Sequence, residues 1–265
     1  MSVLRRNFSL ALTFLRISIL NEFQYRVNFF IQILEALIAL ATGLISLWLV
    51  FSQTTELNGW TEPELLAVVG VFTLMGGLIR AAIQPNMMRL LDEVQQGTLD
   101  YALTKPADSQ VIVSVREFRL WQMVDFVLGL GVLGVAIYQL QESLTIPMLL
   151  SFVLALILGG IMVYCFWLML TSIAFWVIRV YELVNLFEGL YAAGRWPVTI
   201  YPNWLRYGLT FLVPVAFAVT VPAEALTGRL SAATMLGAIA LTVFLLVISR
   251  MVWKRGIKNY SGASA

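Results

Sequence analysis

The chain has 265 residues, 60% hydrophobic and 12% charged, with 17 Lys plus Arg against 15 Asp plus Glu. A soluble domain carries roughly 25% charged residues, so this chain has too little polar surface to coat a water-facing globule, and its even charge balance without a dense basic run argues against nucleic-acid binding. Histidine is absent, which excludes histidine triads, metal sites and proton relays; the single cysteine, Cys165, makes no intrachain disulfide; and no G-x-x-x-x-G-K-[ST] run offers a P-loop for ATP.

The apolar residues fall in blocks of about 20, the length a helix needs to cross a bilayer. Residues 1–26 come first. Arg16 interrupts their apolar run and no small-x-small cleavage site follows, so they do not read as a signal peptide. Phe8, Leu12, Leu15 and Ile19 share one helical face, while Arg5, Ser9, Thr13 and Arg16 share another, the pattern of a helix lying in the membrane interface. Spans are expected over 27–51, 65–84, 120–140, 148–178, 183–200 and 231–248. Pro85 is expected to end the second, and Arg80 near it to snorkel toward headgroups. Pro197, Pro202, Pro214 and Pro222 crowd the stretch before the last span, with Trp204 beside them. Residues 201–223 therefore read as a re-entrant helical hairpin, because broken backbone is tolerated at membrane depth only where protein covers it.

Six spans put both termini on one side. That side collects Arg5, Arg6, Arg16, Arg26, Arg89, Lys105, Arg116, Arg119, Arg179, Arg250, Lys254, Arg255 and Lys258, with Arg80 close by; the other holds only Arg195, Arg206 and Arg229. The positive-inside rule makes the richer side cytoplasmic. The fold class is all-α integral membrane, with the hairpin on the outer side.

The longest polar segment, 86–119, is an inner loop that reads as two short helices. Met87, Met88, Leu91 and Val94 give the first an apolar side, Gly97 ends it, Thr98 is a candidate N-cap for the second, Asp100 suits that helix's first turn, and Lys105 with Pro106 stops it. The result is a half-apolar, half-charged knob. A second inner contact is expected at the turn from Arg179 to Glu182. Within the spans, Glu35, Asp125, Glu188 and Arg195 are costly to bury and so are functional candidates. Glu35 lies about 12 Å into its span at 1.5 Å per residue, which predicts that it faces a protein interior.

The run E-V-Q-Q-G-T-L-D-Y-A-L-T-K-P, residues 93–106, resembles the cytoplasmic loop of ATP-binding-cassette permeases of the type-2 exporter class, with its acidic-x-x-x-G-T-L-[DE]-x-x-L-x-x-P pattern on Glu93, Gly97, Thr98, Leu99, Asp100, Leu103 and Pro106. The run Y-P-N-W-L-R-Y-G-L-T-F-L-V-P-V-A-F from Tyr201 to Phe217, followed by V-P-A, resembles a branch of those permeases that often works as unlike pairs with a separate ATPase. The resemblance implies a transport subunit rather than an enzyme. It also implies a coupling helix seated in an ATPase groove, with a ridge of Leu91, Val94, Leu99 and Leu103 and charges at Asp92, Glu93, Asp100 and Lys105. This chain would bind no cofactor, ATP and magnesium residing on the ATPase. A second permease, like or unlike, would complete a path for a hydrophobic or amphipathic substrate exported across a bacterial plasma membrane, with Glu35 and Glu188 candidates for that path. The other reading is a non-transporting membrane scaffold or biogenesis factor whose loop docks a partner.

Overall fold

Backbone polar groups inside a bilayer find no water, so long apolar runs must satisfy them within helices. A computed structural model of the chain describes residues 13, 14, 16, 26–140, 145–177 and 181–260, and no β-strand occurs among them. The interfacial helix expected over 1–26 lies, apart from residues 13, 14, 16 and 26, outside the described residues, as does Arg179.

The elements in chain order are α1 (Arg26–Phe51), α2 (Glu62–Gln95), α3 (Asp100–Leu103), α4 (Ser109–Ser114), α5 (Leu120–Leu140), α6 (Ile146–Phe175), α7 (Tyr181–Ala192), α8 (Asn203–Leu212), α9 (Ala216–Leu226) and α10 (Ala232–Asn259). Five of them are long and apolar enough to cross a membrane: α1, α2, α5, α6 and α10. The tightest pair is α2 with α5. A Cβ on Gly129 would stand 2.5 Å from the Leu74 nitrogen, and one on Gly77 2.6 Å from the Phe126 nitrogen, so the two backbones touch where glycine removes the side chain. On the other side of α2, α6 carries α9 and α10, and α1 packs on α2 and α5 but leaves Phe30, Leu34, Ile38, Ile45 and Trp48 exposed.

Three segments differ from the sequence reading. The second span does not stop at Pro85: α2 continues to Gln95, so Met87–Val94 is its extension rather than a separate loop helix. Residues Ile79–Ile83 form a π-helical turn, in which the Gln84 nitrogen donates to the Ile79 carbonyl. That widened turn makes room for a ring that would otherwise strike the carbonyl four residues back. The expected fifth span over 183–200 is not one helix. The twelve-residue α7 gives way at Gly194 and Pro197 to short 3-10 turns at Ala193–Arg195 and Val198–Ile200. Their steeper rise of about 2.0 Å per residue helps a short segment reach the far face, and the broken backbone stays satisfied, the Val198 nitrogen donating to Thr220 Oγ1 at 3.2 Å. Third, the last helix runs on to Asn259, well past residue 248.

The proline-rich stretch folds into two short helical arms whose outer flanks meet the same loop. Arms α8 and α9 are bent 78° to each other across residues 213–215. Ahead of α8, Thr199 accepts from Trp60 Nε1 (3.0 Å) and, by its carbonyl, from Asn58 Nδ2 (2.7 Å); beyond α9, Arg229 donates to the Gly59 carbonyl (2.6 Å). Both ends thus grip the loop between α1 and α2. At the opposite face, the Tyr260 hydroxyl at the end of α10 accepts from the Leu99 nitrogen (3.1 Å) and Phe29 near the start of α1 packs on Trp121 (4.8 Å).

Candidate functional site

The knob is built on the end of α2. Gly97, at φ +69°, takes the left-handed turn that ends this helix, and the Thr98 nitrogen returns to the Glu93 carbonyl at 2.9 Å. Leu91 and Leu99 are fully buried with Met87, Leu90 and Ala102. Glu93 grips Arg116 at two points, 2.8 and 2.7 Å, and also accepts from Arg89 Nε at 3.1 Å, while Arg89 reaches Glu117 at 3.0 Å. Buried Asn86 fills every valence: its amide nitrogen donates to the Ala82 and Glu117 carbonyls, and its oxygen accepts from the Arg116 and Glu117 nitrogens. A two-point guanidinium–carboxylate contact in a shielded site is strongly oriented, so α2, α3 and the segment leading to α5 move as one piece. Asp108 ties α10 to the same piece. It caps α4 at the Gln110 nitrogen (3.0 Å) and pairs with Arg250. The Arg250 hydrogen bonds hold its carboxyl below the usual value, against a smaller upward push from burial.

The expected ridge is corrected by these positions. Leu91 and Leu99 form the floor of the knob and are not available to a partner; Val94 and Leu103 are half-buried against the same core. Thr98 does not cap α3 with its side chain: Leu99 holds the N-cap position, and its nitrogen is satisfied by Tyr260, 161 residues away at the end of α10, which no local pattern announces. Asp100 lies in the first turn of α3, Asp92 is half-buried, and the exposed face of the knob consists of Gln95, Gln96, Tyr101, Thr104, Lys105 and Pro106. Tyr101 is 79% exposed. A helical wheel from Leu99 places it on the side away from Leu99 and Leu103, which is the signal that finds it. Lys105 sits over the Phe14 ring at 5.5 Å.

The in-span charges divide. Arg80 does not depend on headgroups, because it pairs with Asp125 at 2.6 Å. Glu188 accepts from Gln84 Nε2 at 2.7 Å and, with Arg80, Phe72, Trp167 and Tyr191, lines a 240 Å³ cavity between α2, α6 and α7 toward the knob end. Arg195 lies over the Phe72 ring at 5.6 Å. Among the described residues Glu35 does not face an interior: it is exposed on α1 and accepts from Gln32 Nε2 at 3.3 Å. The helix turns its core-facing side elsewhere, toward Ala36 and Leu47. Glu182 is exposed in the first turn of α7.

At the opposite face a clasp closes the hairpin. Arg229 holds Glu64 with 2.6 and 2.7 Å bonds and covers the Trp60 ring at 4.8 Å, while Glu64 also caps α2 at Thr61. Pro202 stands at the N-cap of α8, Trp204 is exposed, Pro214 is buried at the hairpin tip and Pro222 is buried in the last turns of α9. Among the described residues no cluster of acidic, cysteine or histidine side chains is arranged to hold a metal.

Comparison with family models matches residues 37–264 to one described as an ABC-2 family transporter protein. No curated protein and no solved structure matches the chain.

Proposed function

Because the chain belongs to the ABC-2 family of transporter proteins and is a permease subunit of an ABC transporter, we propose that its knob seats in a groove of a separate ATP-binding-cassette ATPase. That ATPase carries ATP and magnesium, and its closure pushes the knob. The observation that carries the reading is the knob's exposed face, Gln95, Gln96, Tyr101, Thr104, Lys105 and Pro106, on a base locked by Glu93, Arg116 and Asn86. A push on that face is delivered into α2, through Arg80–Asp125 into α5, and through Asp108–Arg250 into α10. Tyr101 is the anchor, a large amphipathic ring of the kind enriched at interface hot spots, and Lys105 and Asp100 set register.

In this reading the knob face is cytoplasmic and the protein sits in a bacterial plasma membrane. A second permease, like or unlike, covers the exposed side of α1, where it would give Glu35 a protein surrounding that the described residues do not supply. The substrate is hydrophobic or amphipathic and leaves outward, and Glu188 in its cavity is the path residue. The test is a mild-detergent pull-down of tagged protein from its native membrane with mass spectrometry of the eluate. Wild type is expected to bring a stoichiometric P-loop ATPase and a second permease. Tyr101→Asp with Lys105→Glu is expected to lose the ATPase, keep the permease and leave thermal unfolding unchanged. Folded wild type recovered without any ATPase transfers the reading to a membrane scaffold.

A further inference from the structure

Between the two arms of the hairpin and the first turn of α10 lies a cavity of 330 Å³ that ATPase coupling leaves unused. Its size is at the lower end of ligand pockets. Glu224 projects from α9 into this lining and Arg206 from α8. Unlike Arg229 beside them, which is spent on Glu64, neither side chain makes an ion pair or hydrogen bond with another described residue. Burial works against the charged form of Glu224, which Arg206 and Arg229 only partly answer through space. A half-buried carboxylate without a direct partner is costly, and a ligand cation would relieve the cost.

The remaining wall selects the kind of cation. Thr210 gives its proton to the Arg206 carbonyl at 2.7 Å, so its oxygen only accepts. Tyr207, stacked on Phe211 at 6.4 Å, offers a ring face. A carboxylate, an acceptor-only hydroxyl and an aromatic face together match a primary ammonium with its three donors. Arg206, exposed at the rim, matches an anion attached to it. Depth then separates a lipid from a soluble zwitterion. Arg206 and Glu224 both lie near the open end of the hairpin, whose flanks are tied to the loop between α1 and α2, so they stand at headgroup level. Phe211 and Phe217 line the wall toward the membrane interior, where acyl chains would begin.

We propose that this cavity binds the headgroup of a phosphatidylethanolamine-type lipid, with its ammonium on Glu224 and Thr210 and its phosphate at Arg206. The site does not depend on ATPase docking, so its test and the pull-down fail independently.

The test is native mass spectrometry of the full chain released from nanodiscs of equal phosphatidylethanolamine and phosphatidylglycerol. Wild type is expected to retain the ethanolamine lipid over the glycerol lipid by about tenfold, the scale of one charge-assisted contact. Glu224→Gln brings that ratio to about one and Glu224→Asp restores most of it, while Arg206→Gln lowers retention of both lipids alike. A wild-type ratio near one overturns the proposal, and it does so even if Glu224→Gln fails to fold. Complete displacement of the lipid by free phosphoethanolamine at equal concentration overturns the lipid as occupant.

Discussion

In the knob, Glu93 holds Arg116 at two points and Asn86 fills all its valences; in the hairpin cavity, Glu224 and Arg206 stand apart. In both regions two helical segments meet at a tight turn, and each region is anchored to distant chain, the knob through Tyr260 and the hairpin through Trp60 and Arg229. The knob pairs Glu93 with Arg116 in a shielded site and presents an exposed rim around Tyr101. The hairpin exposes Trp204 and Tyr207 on its first arm and holds two opposite charges, Arg206 and Glu224, in the lining of one cavity. Under the proposed coupling, a lever must not deform when pushed, which suits paired polar groups; under the proposed lipid site, a receptor needs groups whose partners arrive from elsewhere.

The sharpest way to break this contrast is at the floor of the knob. Leu99→Asp places a carboxylate where the leucine is fully buried and is expected to cost about 4–5 kcal/mol. Thermal unfolding in detergent that matches wild type would mean that the knob tolerates charge and is no rigid body. Next comes Glu93→Ala, which takes the two-point carboxylate partner from Arg116 in a shielded site; the expected loss is about 3 kcal/mol, read from the same melt, whereas Glu224→Ala is expected to leave the midpoint near wild type. A Glu224→Ala loss as large as that of Glu93→Ala would erase the distinction between the two regions.

A third substitution acts on the hairpin alone. A Cβ on Gly159 would stand 2.5 Å from the Phe217 carbonyl oxygen, a backbone atom that cannot rotate away. Gly159→Ala is expected to cost about 1–3 kcal/mol and to raise hydrogen exchange in α9 while exchange in the knob is unchanged. The smallest effect is that of Asp108. Its folded pKa lies below the unfolded value because Arg250 bonds its charged form, so its stabilisation is present above the unfolded carboxyl value of about 3.9 and is lost as pH falls through the folded one. The pair is partly exposed, which limits the gain of wild type over Asp108→Asn to below about 1 kcal/mol near neutrality. The two melts are expected to converge as the pH drops below about 4.

Much of this architecture was readable before any coordinates. Apolar blocks of spanning length located α1, α2, α5, α6 and α10. The proline cluster announced a broken segment, and the coordinates show the form it takes, two arms gripping one loop. Where local reading failed, the competing cause lay in structure that short-range pattern does not encode. Pro85 is a helix breaker by type, but the π-turn ahead of it absorbs the ring. Thr98 has the right chemistry for a cap, but Leu99 holds the N-cap position and donates its nitrogen to the Tyr260 hydroxyl. Leu91 and Leu99 carry the spacing of an apolar ridge, and spacing cannot tell a ridge turned to a partner from one turned to the chain's own core.

Sequence alone determined the medium and the grammar: a chain with this apolar share and block length must satisfy its backbone in helices within a bilayer, and glycine at 97 permits the turn that sets the knob. Tertiary structure alone decided which charges meet. Glu93 finds Arg116 across 23 residues, Glu64 finds Arg229 across 165, and Glu224 finds no direct partner among the described residues. Pairing depends on which helix faces come together, and faces are set by side-chain volume and close approach at positions such as Gly77, Gly129 and Gly159, summed over the whole bundle.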